Sequence, residues 1–138
     1  MALVLAVATA APGCSGTRRE LPPLGQVSGT ISLDGQPLSK ASVTFVPFER
    51  GQASYGSTDD AGRYRLVYTT NTPGAVVGSH RVEIRTGGEG YDKDGNFNET
   101  VERLPTAYHV RSELKATVAA GTNELDFNLT SKLATKPK

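Results

Sequence analysis

From residue 26 onward, apolar and polar side chains alternate, and turn-forming residues interrupt the alternation at short intervals. Val27, Ile31 and Leu33 alternate with small or polar residues, and Asp34-Gly35 follows directly. This dipeptide is a strong indicator of a two-residue β-hairpin turn. A period of two places the apolar side chains of a strand on one face. Since no apolar run of helical period follows the N-terminal segment, the pattern predicts an all-β domain.

About seven segments carry this alternation, and we expect their apolar faces to cover each other as two sheets of an antiparallel β-sandwich. The predicted strands cover residues 27–33, 41–45, 53–58, 64–68, 80–85, 114–118 and 125–129. The predicted core consists of Val27, Ile31, Leu33, Val43, Phe45, Tyr64, Leu66, Val82, Ile84, Leu114, Val118, Leu125, Phe127 and Leu129.

Length and charge limit the classes of protein to consider. The 138 residues fit one domain with a short leader. Fifteen basic residues against fourteen acidic ones give a net charge of +1, which argues against a nucleic-acid binder, because such proteins usually carry a basic excess on one face. The single cysteine, Cys14, excludes an intrachain disulfide.

The first fourteen residues predict a signal peptide with a lipidation site. Residues 2–11 are apolar and uncharged, too short for a membrane-spanning helix of about 20 residues but typical of a signal-peptide core. The tetrapeptide ending at Cys14 resembles the bacterial lipobox, which implies that Cys14 becomes the acylated N-terminus. Ala11 and Pro12 depart from the usual lipobox, so an ordinary signal peptide and a cytosolic chain stay open as alternatives. The lipobox reading implies a secreted protein, lipid-anchored in the cell envelope at the outer membrane or periplasmic face.

The rest of the chain divides into three parts. Residues 15–25 contain Pro22-Pro23 and predict a flexible tether, because proline cannot join a sheet ladder. Residues 26–130 form the predicted β-sandwich. The polar residues 131–138 predict a disordered tail.

Three sequence blocks resemble one known family, in the same order. Residues 29–47 read GTISLDGQPLSKASVTFVP, residues 56–66 read GSTDDAGRYRL, and residues 74–84 read GAVVGSHRVEI. Together they resemble carboxypeptidase regulatory-like domains over residues 26–130. The resemblance implies a transthyretin-like, seven-stranded antiparallel Greek-key β-sandwich. Its relatives include accessory modules and starch-binding domains, so the fold alone does not select a function.

The segment 87–105 is polar and rich in glycine, and it predicts a long loop. Such loops often carry recognition, and the candidate ligand contacts are Tyr91, Asp92, Asp94, Asn96 and Phe97. The alternative is an irregular calcium loop formed by Asp92, Asp94, Asn96 and Glu99. An EF-hand is excluded, because Phe97 stands where the invariant glycine would be. We expect a solvated loop without a metal.

No residue pattern predicts catalysis or a cofactor. His80 falls on the apolar face of its strand, where a hydrogen-bonded core or edge histidine is expected, while His109 could equally be exposed. The 5-hydroxyisourate hydrolases share the sandwich but end in Tyr-Arg-Gly-Ser, whereas this chain ends in Thr135–Lys138. No nucleophile with a neighbouring base is visible. The chain is therefore predicted not to be an enzyme.

The sequence leaves two non-catalytic functions open, and an unrecognised hydrolase is the third hypothesis. The first is a lipid-anchored envelope protein that acts as a binding or structural module for a protein or glycan, with Tyr55, Tyr91 and Phe97 as the best candidates for exposed aromatic residues. The alternative is a carbohydrate-binding module with a starch-binding-like fold.

Overall fold

The computed structural model describes Gly13, residues 20–91 and residues 93–132. These residues form an all-β structure of fourteen strand segments and a single-turn 3-10 helix, Thr106–Tyr108. The strands are β1 Leu24–Leu33, β2 Gln36–Pro37, β3 Ser42–Pro47, β4 Ser54–Ser57, β5 Arg63–Arg65, β6 Val67–Thr69, β7 Thr72–Pro73, β8 Ala75–Val76, β9 Gly78–Arg85, β10 Gly88–Tyr91, β11 Phe97–Thr100, β12 Lys115–Val118, β13 Gly121–Glu124 and β14 Phe127–Leu129. The all-β prediction is confirmed.

One sheet is built around β1. Strands β2, β5 and β8 pair antiparallel with successive parts of β1. Strands β13 and β14 run parallel to β1, with Val27 opposite Asn123 and Ile31 opposite Phe127. The expectation of a wholly antiparallel sandwich is therefore wrong for this sheet. Parallel neighbours require a long crossover connection. The strands of the second sheet lie between β1 and β13 in the sequence and form this connection.

The second sheet is antiparallel throughout, in the order β12-β9-β3-β4-β6-β7. Its longest pairing joins β3 to β9 and places Val43 opposite Ile84 and Phe45 opposite Val82. Leu66 separates β5 in the first sheet from β6 in the second. One extended segment, residues 63–69, therefore passes from one sheet to the other at a corner.

The two sheets pack face to face in a sandwich-like arrangement. The rings of Phe45 on β3 and Phe127 on β14 meet edge to face, with centroids 6.2 Å apart. Ten of the predicted core residues are buried, while Leu33, Leu114, Leu125 and Phe127 are partly buried and pack against the core. The core also includes Leu38, Ala41, Tyr68, Ala75, Val76, Leu104 and Tyr108.

The Asp34-Gly35 turn forms as predicted. Both residues have positive φ angles, 52° and 82°, and the turn joins β1 to β2 with Leu33 opposite Gln36. Positive φ at both central positions is the geometry of a type I′ hairpin turn. The Asp34 carboxylate also accepts hydrogen bonds from the Ser131 N–H at 3.0 Å and hydroxyl at 2.6 Å. These bonds lower the pKa of Asp34 and tie the end of the C-terminal strand to this turn.

Two predicted segment boundaries differ in the structure. Strand β1 begins at Leu24, within the predicted tether 15–25, because the Leu24–Gly25 pair finds a partner in β8. The predicted loop 87–105 contains a β-hairpin, β10–β11, and ends in the buried Leu104. A glycine-rich sequence with exposed side chains gives no apolar alternation from which this hairpin could be predicted.

Candidate functional site

The β10–β11 hairpin lies at the end of the sandwich opposite the point where the chain enters it. The Val77 N–H donates to the Pro23 carbonyl at 2.9 Å, so the chain enters beside the start of β9. The hairpin begins at Gly88, just beyond the other end of β9. An eight-residue strand spans about 26 Å, and this length separates the two places.

One face of the hairpin carries an exposed aromatic pair. Tyr91 and Phe97 are opposite each other in the register and are 76% and 56% exposed. Their rings meet edge to face with centroids 5.8 Å apart. Since side chains alternate between faces along a strand, Glu89 and Glu99 share this face, and the register also places them opposite each other. Both carboxylates are exposed.

A carboxylate at the base of the hairpin holds its two ends together. Glu102 accepts hydrogen bonds from the Thr86 N–H at 3.0 Å, the Thr86 hydroxyl at 2.7 Å, the Gly87 N–H at 3.1 Å and the Leu104 N–H at 3.1 Å. The Thr86 hydroxyl oxygen accepts in turn from the Arg103 N–H. Thr86 and Gly87 precede the hairpin, whereas Glu102 follows it, so these bonds anchor a hairpin whose strands β10 and β11 expose their side chains.

The environment of Glu102 keeps its carboxylate ionised. Partial burial would raise its pKa, but the four N–H and O–H donors outweigh burial and lower the pKa of Glu102 to about 2. Among the described residues, the negative charge is therefore stabilised by hydrogen bonds and not by a basic side chain.

A groove of about 250 Å³ lies between the hairpin and the end of the sandwich. Its lining includes Lys40, Ser42, Gly88, Tyr91, Asn98 and Thr100. The groove combines one cation, Lys40, and one carboxylate, Glu89, with several hydroxyl or amide groups and part of Tyr91. This lining suits a polar ligand.

A larger open groove, of about 740 Å³, runs along the outer side of β1 and β5. Its lining includes Ser28, Thr30, Ser57, Arg63, Arg65 and Glu124. In the described part of the chain, neither arginine forms an ion pair. Asp59 and Glu124 balance their charge within the groove, so the lining favours neither an anion nor a cation.

The structure brings together some of the site residues predicted from sequence. Tyr91 and Phe97 form the aromatic pair, and Asp94 and Asn96 lie in the turn between the strands, each engaged in an interaction of its own. Asp92 and Cys14 lie outside the described residues. The sequence did not predict that Glu89 lies opposite Glu99 or that Glu102 anchors the hairpin, because both depend on which residues the folded hairpin brings together.

Both histidines are buried. His80 is fully buried, as strand parity predicts; its Nε2 is 2.6 Å from the Val76 carbonyl, and its ring lies 5.6 Å from that of Phe45. His109 is also buried, with Nε2 3.1 Å from the Leu104 carbonyl. A carbonyl can only accept, so Nε2 carries a proton in each ring. Among the described residues, neither Nδ1 atom has a hydrogen-bond partner, and the two histidines serve the core rather than a shared site.

No group of three or more His, Cys, Asp or Glu residues is arranged to hold a metal ion among the residues that the structure describes. Over the same residues, no helix has the length and apolar character needed to span a membrane.

The fold and the hairpin define an all-β protein with a β-sandwich-like core and an exposed, anchored hairpin. No protein-family model matches the chain, and no curated protein matches it. The solved structure of a 9R-lipoxygenase from Cyanothece PCC8801 matches with a TM-score of 0.44 and 15% sequence identity. The match covers 78% of this chain and 16% of the lipoxygenase chain, so this chain spans a small part of that enzyme.

This comparison corrects the expectation that the chain is not an enzyme. The matching structure is that of an enzyme, so the comparisons give no support to an absence of activity, and we withdraw that expectation. A likeness this slight carries no activity to this chain, and it assigns no residue of the site to catalysis.

Proposed function

We propose that this chain is a lipid-anchored protein of the cell envelope whose β-sandwich serves as a binding module, with the β10–β11 hairpin as its contact surface. The observation that carries the proposal is the exposed pair of Tyr91 and Phe97 on a hairpin fixed at its base by Glu102. Exposed aromatic residues with restricted motion are the residues that most often dominate binding energy at protein interfaces.

The position of the hairpin is consistent with an anchor at Cys14. Ten residue steps separate Cys14 from Leu24, a distance of at most about 36 Å. Arg18 and Arg19 lie within this stretch and would favour the anionic surface of a membrane. The hairpin lies at the far end of the sandwich from Leu24, so an anchored chain would present the hairpin away from the membrane.

Within this proposal, the sandwich is a transthyretin-like Greek-key domain of the carboxypeptidase regulatory-like type. Two turns of the matching sequence blocks support the assignment. Asp34-Gly35 closes the first hairpin. In the second block, Asp59 Oδ1 accepts from the N–H groups of Ala61 and Arg63, and the Gly62 N–H donates to the Asp59 carbonyl. These blocks therefore supply the turns rather than the contact surface.

A carbohydrate ligand is the second candidate. The groove beside Tyr91, which includes Lys40, Ser42 and Asn98, offers hydroxyl, amide and ammonium groups next to an aromatic ring. Such a ring can pack against the apolar face of a sugar while the polar groups bind its hydroxyls. A glycan array probed with the purified chain tests this function, and absence of binding at millimolar ligand would exclude it.

The main proposal is tested by site-specific photocrosslinking in intact cells. A photoreactive phenylalanine at position 91 should crosslink to a defined partner, whereas the same group at position 55, also exposed but on β4, should not. Replacing Phe97 with alanine should abolish the crosslink from position 91 without changing the melting temperature. Equal crosslinking from both positions would contradict the assignment of the hairpin as the contact surface.

The anchor is tested separately by mass spectrometry of the mature protein. We expect diacylglycerol on Cys14 and release of a Cys14→Ser variant into the soluble fraction. An unmodified thiol, or a mature N-terminus elsewhere, would refute the anchor while leaving the binding surface unaffected.

A further inference from the structure

The aromatic face of the hairpin also carries two carboxylates. Glu89 and Glu99 are directly opposite across the two strands, and neither forms a hydrogen bond or ion pair with the described residues. Like charges placed directly opposite in an antiparallel pair destabilise it. A hairpin with no buried face of its own is only marginally stable, so a repulsive pair at its centre is costly unless a cation approaches both carboxylates.

The neighbouring rings favour the same kind of ligand. Tyr91 follows Glu89 by two residues, and Phe97 precedes Glu99 by two, so all four side chains share one face. An aromatic ring attracts a cation to its face through its quadrupole. A cation seated on this face would therefore meet two carboxylates and at least one ring together.

Charge also distinguishes the hairpin from the rest of the chain. Residues 88–100 contain four carboxylates against one lysine, a formal charge of −3, whereas the whole chain carries +1. The hairpin is thus the acidic end of a nearly neutral protein. Its acidity attracts basic partners over a Debye length of about 8 Å at physiological salt.

We propose that the hairpin face formed by Glu89, Tyr91, Phe97 and Glu99 binds a lysine or arginine side chain on a basic segment of a partner protein. The cationic head lies between the two carboxylates, and its aliphatic stem packs along the ring pair. This inference rests on the proposed binding function of the hairpin and specifies the chemistry of its partner.

The test is titration of the full-length Cys14→Ser chain with a short peptide that alternates glycine and lysine, followed by NMR of the Gly90 amide and the Tyr91 and Phe97 ring signals. A peptide of the same sequence with acetylated lysines is the matched ligand control, because acetylation removes the charge and keeps the length. We expect the charged peptide to shift these signals and the acetylated peptide to leave them unchanged.

Variants identify the responsible side chains. The double change Glu89→Gln and Glu99→Gln should weaken binding about fivefold or more, and Tyr91→Ala should weaken it about threefold. Glu49→Gln, at an exposed position outside the hairpin, should have no effect. Raising the salt from 50 to 300 mM should weaken binding several-fold.

Equal binding of the acetylated peptide, or equal losses in the Glu49 variant and the hairpin variants, would overturn the inference. A partner that crosslinks from position 91 with the same yield in the Glu89→Gln, Glu99→Gln double variant would also overturn it, yet would leave the proposed contact surface intact. Binding of a neutral glycan at the same ring signals, without binding of the basic peptide, would replace the basic segment with a carbohydrate.

Discussion

Replacing Glu102 with glutamine should loosen the base of the β10–β11 hairpin. The carboxylate accepts four hydrogen bonds, three through Oε1 and one, from the Gly87 N–H, through Oε2. Glutamine keeps one acceptor oxygen but places an NH₂ group where Oε2 accepted, so two donors face each other there. Thr86 and Gly87, before the hairpin, then lose their hydrogen bonds to a charged carboxylate after it.

The size of the effect follows from the acidity of Glu102. Its pKa falls from 4.5 to about 2, which corresponds to about 3 kcal/mol at 1.36 kcal/mol per pKa unit. Since the side chain is only partly buried, solvent screening reduces this value. We expect a loss of about 1–2 kcal/mol at pH 7.

Amide hydrogen exchange measures this loss locally. The Gly87 and Leu104 amides donate to Glu102, and a loss of 1–2 kcal/mol should lower their protection about 5- to 30-fold. The pKa of Glu102 is depressed in the folded state, so its stabilisation is complete above pH 4.5 and lost as the pH falls toward 2. The difference between wild type and variant should therefore be constant from pH 6 to 8 and less than half as large at pH 3.

Glu49→Gln is the control, because Glu49 is exposed and has no partner within the described residues. Equal protection of Gly87 and Leu104 in wild type and Glu102→Gln would refute the anchoring role. A difference that persists undiminished at pH 3 would show that the loss does not come from the charge of the carboxylate.

Two further predictions concern the join between β1 and the C-terminal strand. Gly29→Ala should lower the free energy of unfolding by about 2–3 kcal/mol, because its Cβ would lie 2.0 Å from the Leu125 carbonyl oxygen. Gly90→Ala is the control, since a Cβ there meets open space, and it should change the melting temperature little. Similar melting temperatures for the two variants would contradict this packing. Tyr64→Phe removes the hydrogen bond from the Tyr64 hydroxyl to the Leu125 carbonyl and should cost about 1 kcal/mol. Burial, and to a lesser extent the nearby Asp126 charge, raises the pKa of Tyr64. Wild type should therefore lose the stabilisation from this hydroxyl as the pH rises above about 10. The free energy of unfolding of the phenylalanine variant should lack this pH-dependent loss.

Local rules predicted much of the fold from the sequence. Strand parity identified most of the core, including Phe45 and Val82, because a residue's face depends only on its position along the strand. The Asp34-Gly35 turn was equally predictable, since its positive φ angles are set by the two residues themselves. Even the burial of His80 followed from its place in the alternation.

Part of the candidate site was also visible in the sequence. Tyr91 and Phe97 stood out as aromatic residues in a polar segment, and both are exposed. Their contact, however, depends on the register that places residue 91 opposite residue 97. The same register pairs Glu89 with Glu99, and a sequence without an apolar alternation in this segment gives no sign of it.

The alternation of side chains and the chemistry of the turns thus determined which segments form strands and which faces are buried, because both are properties of neighbouring residues. Only the tertiary structure decided which strands lie side by side. The parallel pairing of β1 with β13 and β14 joins residues nearly one hundred positions apart, and Glu102 reaches back sixteen residues to Thr86. Such contacts depend on how the two sheets pack over a shared core, and no local pattern specifies that packing.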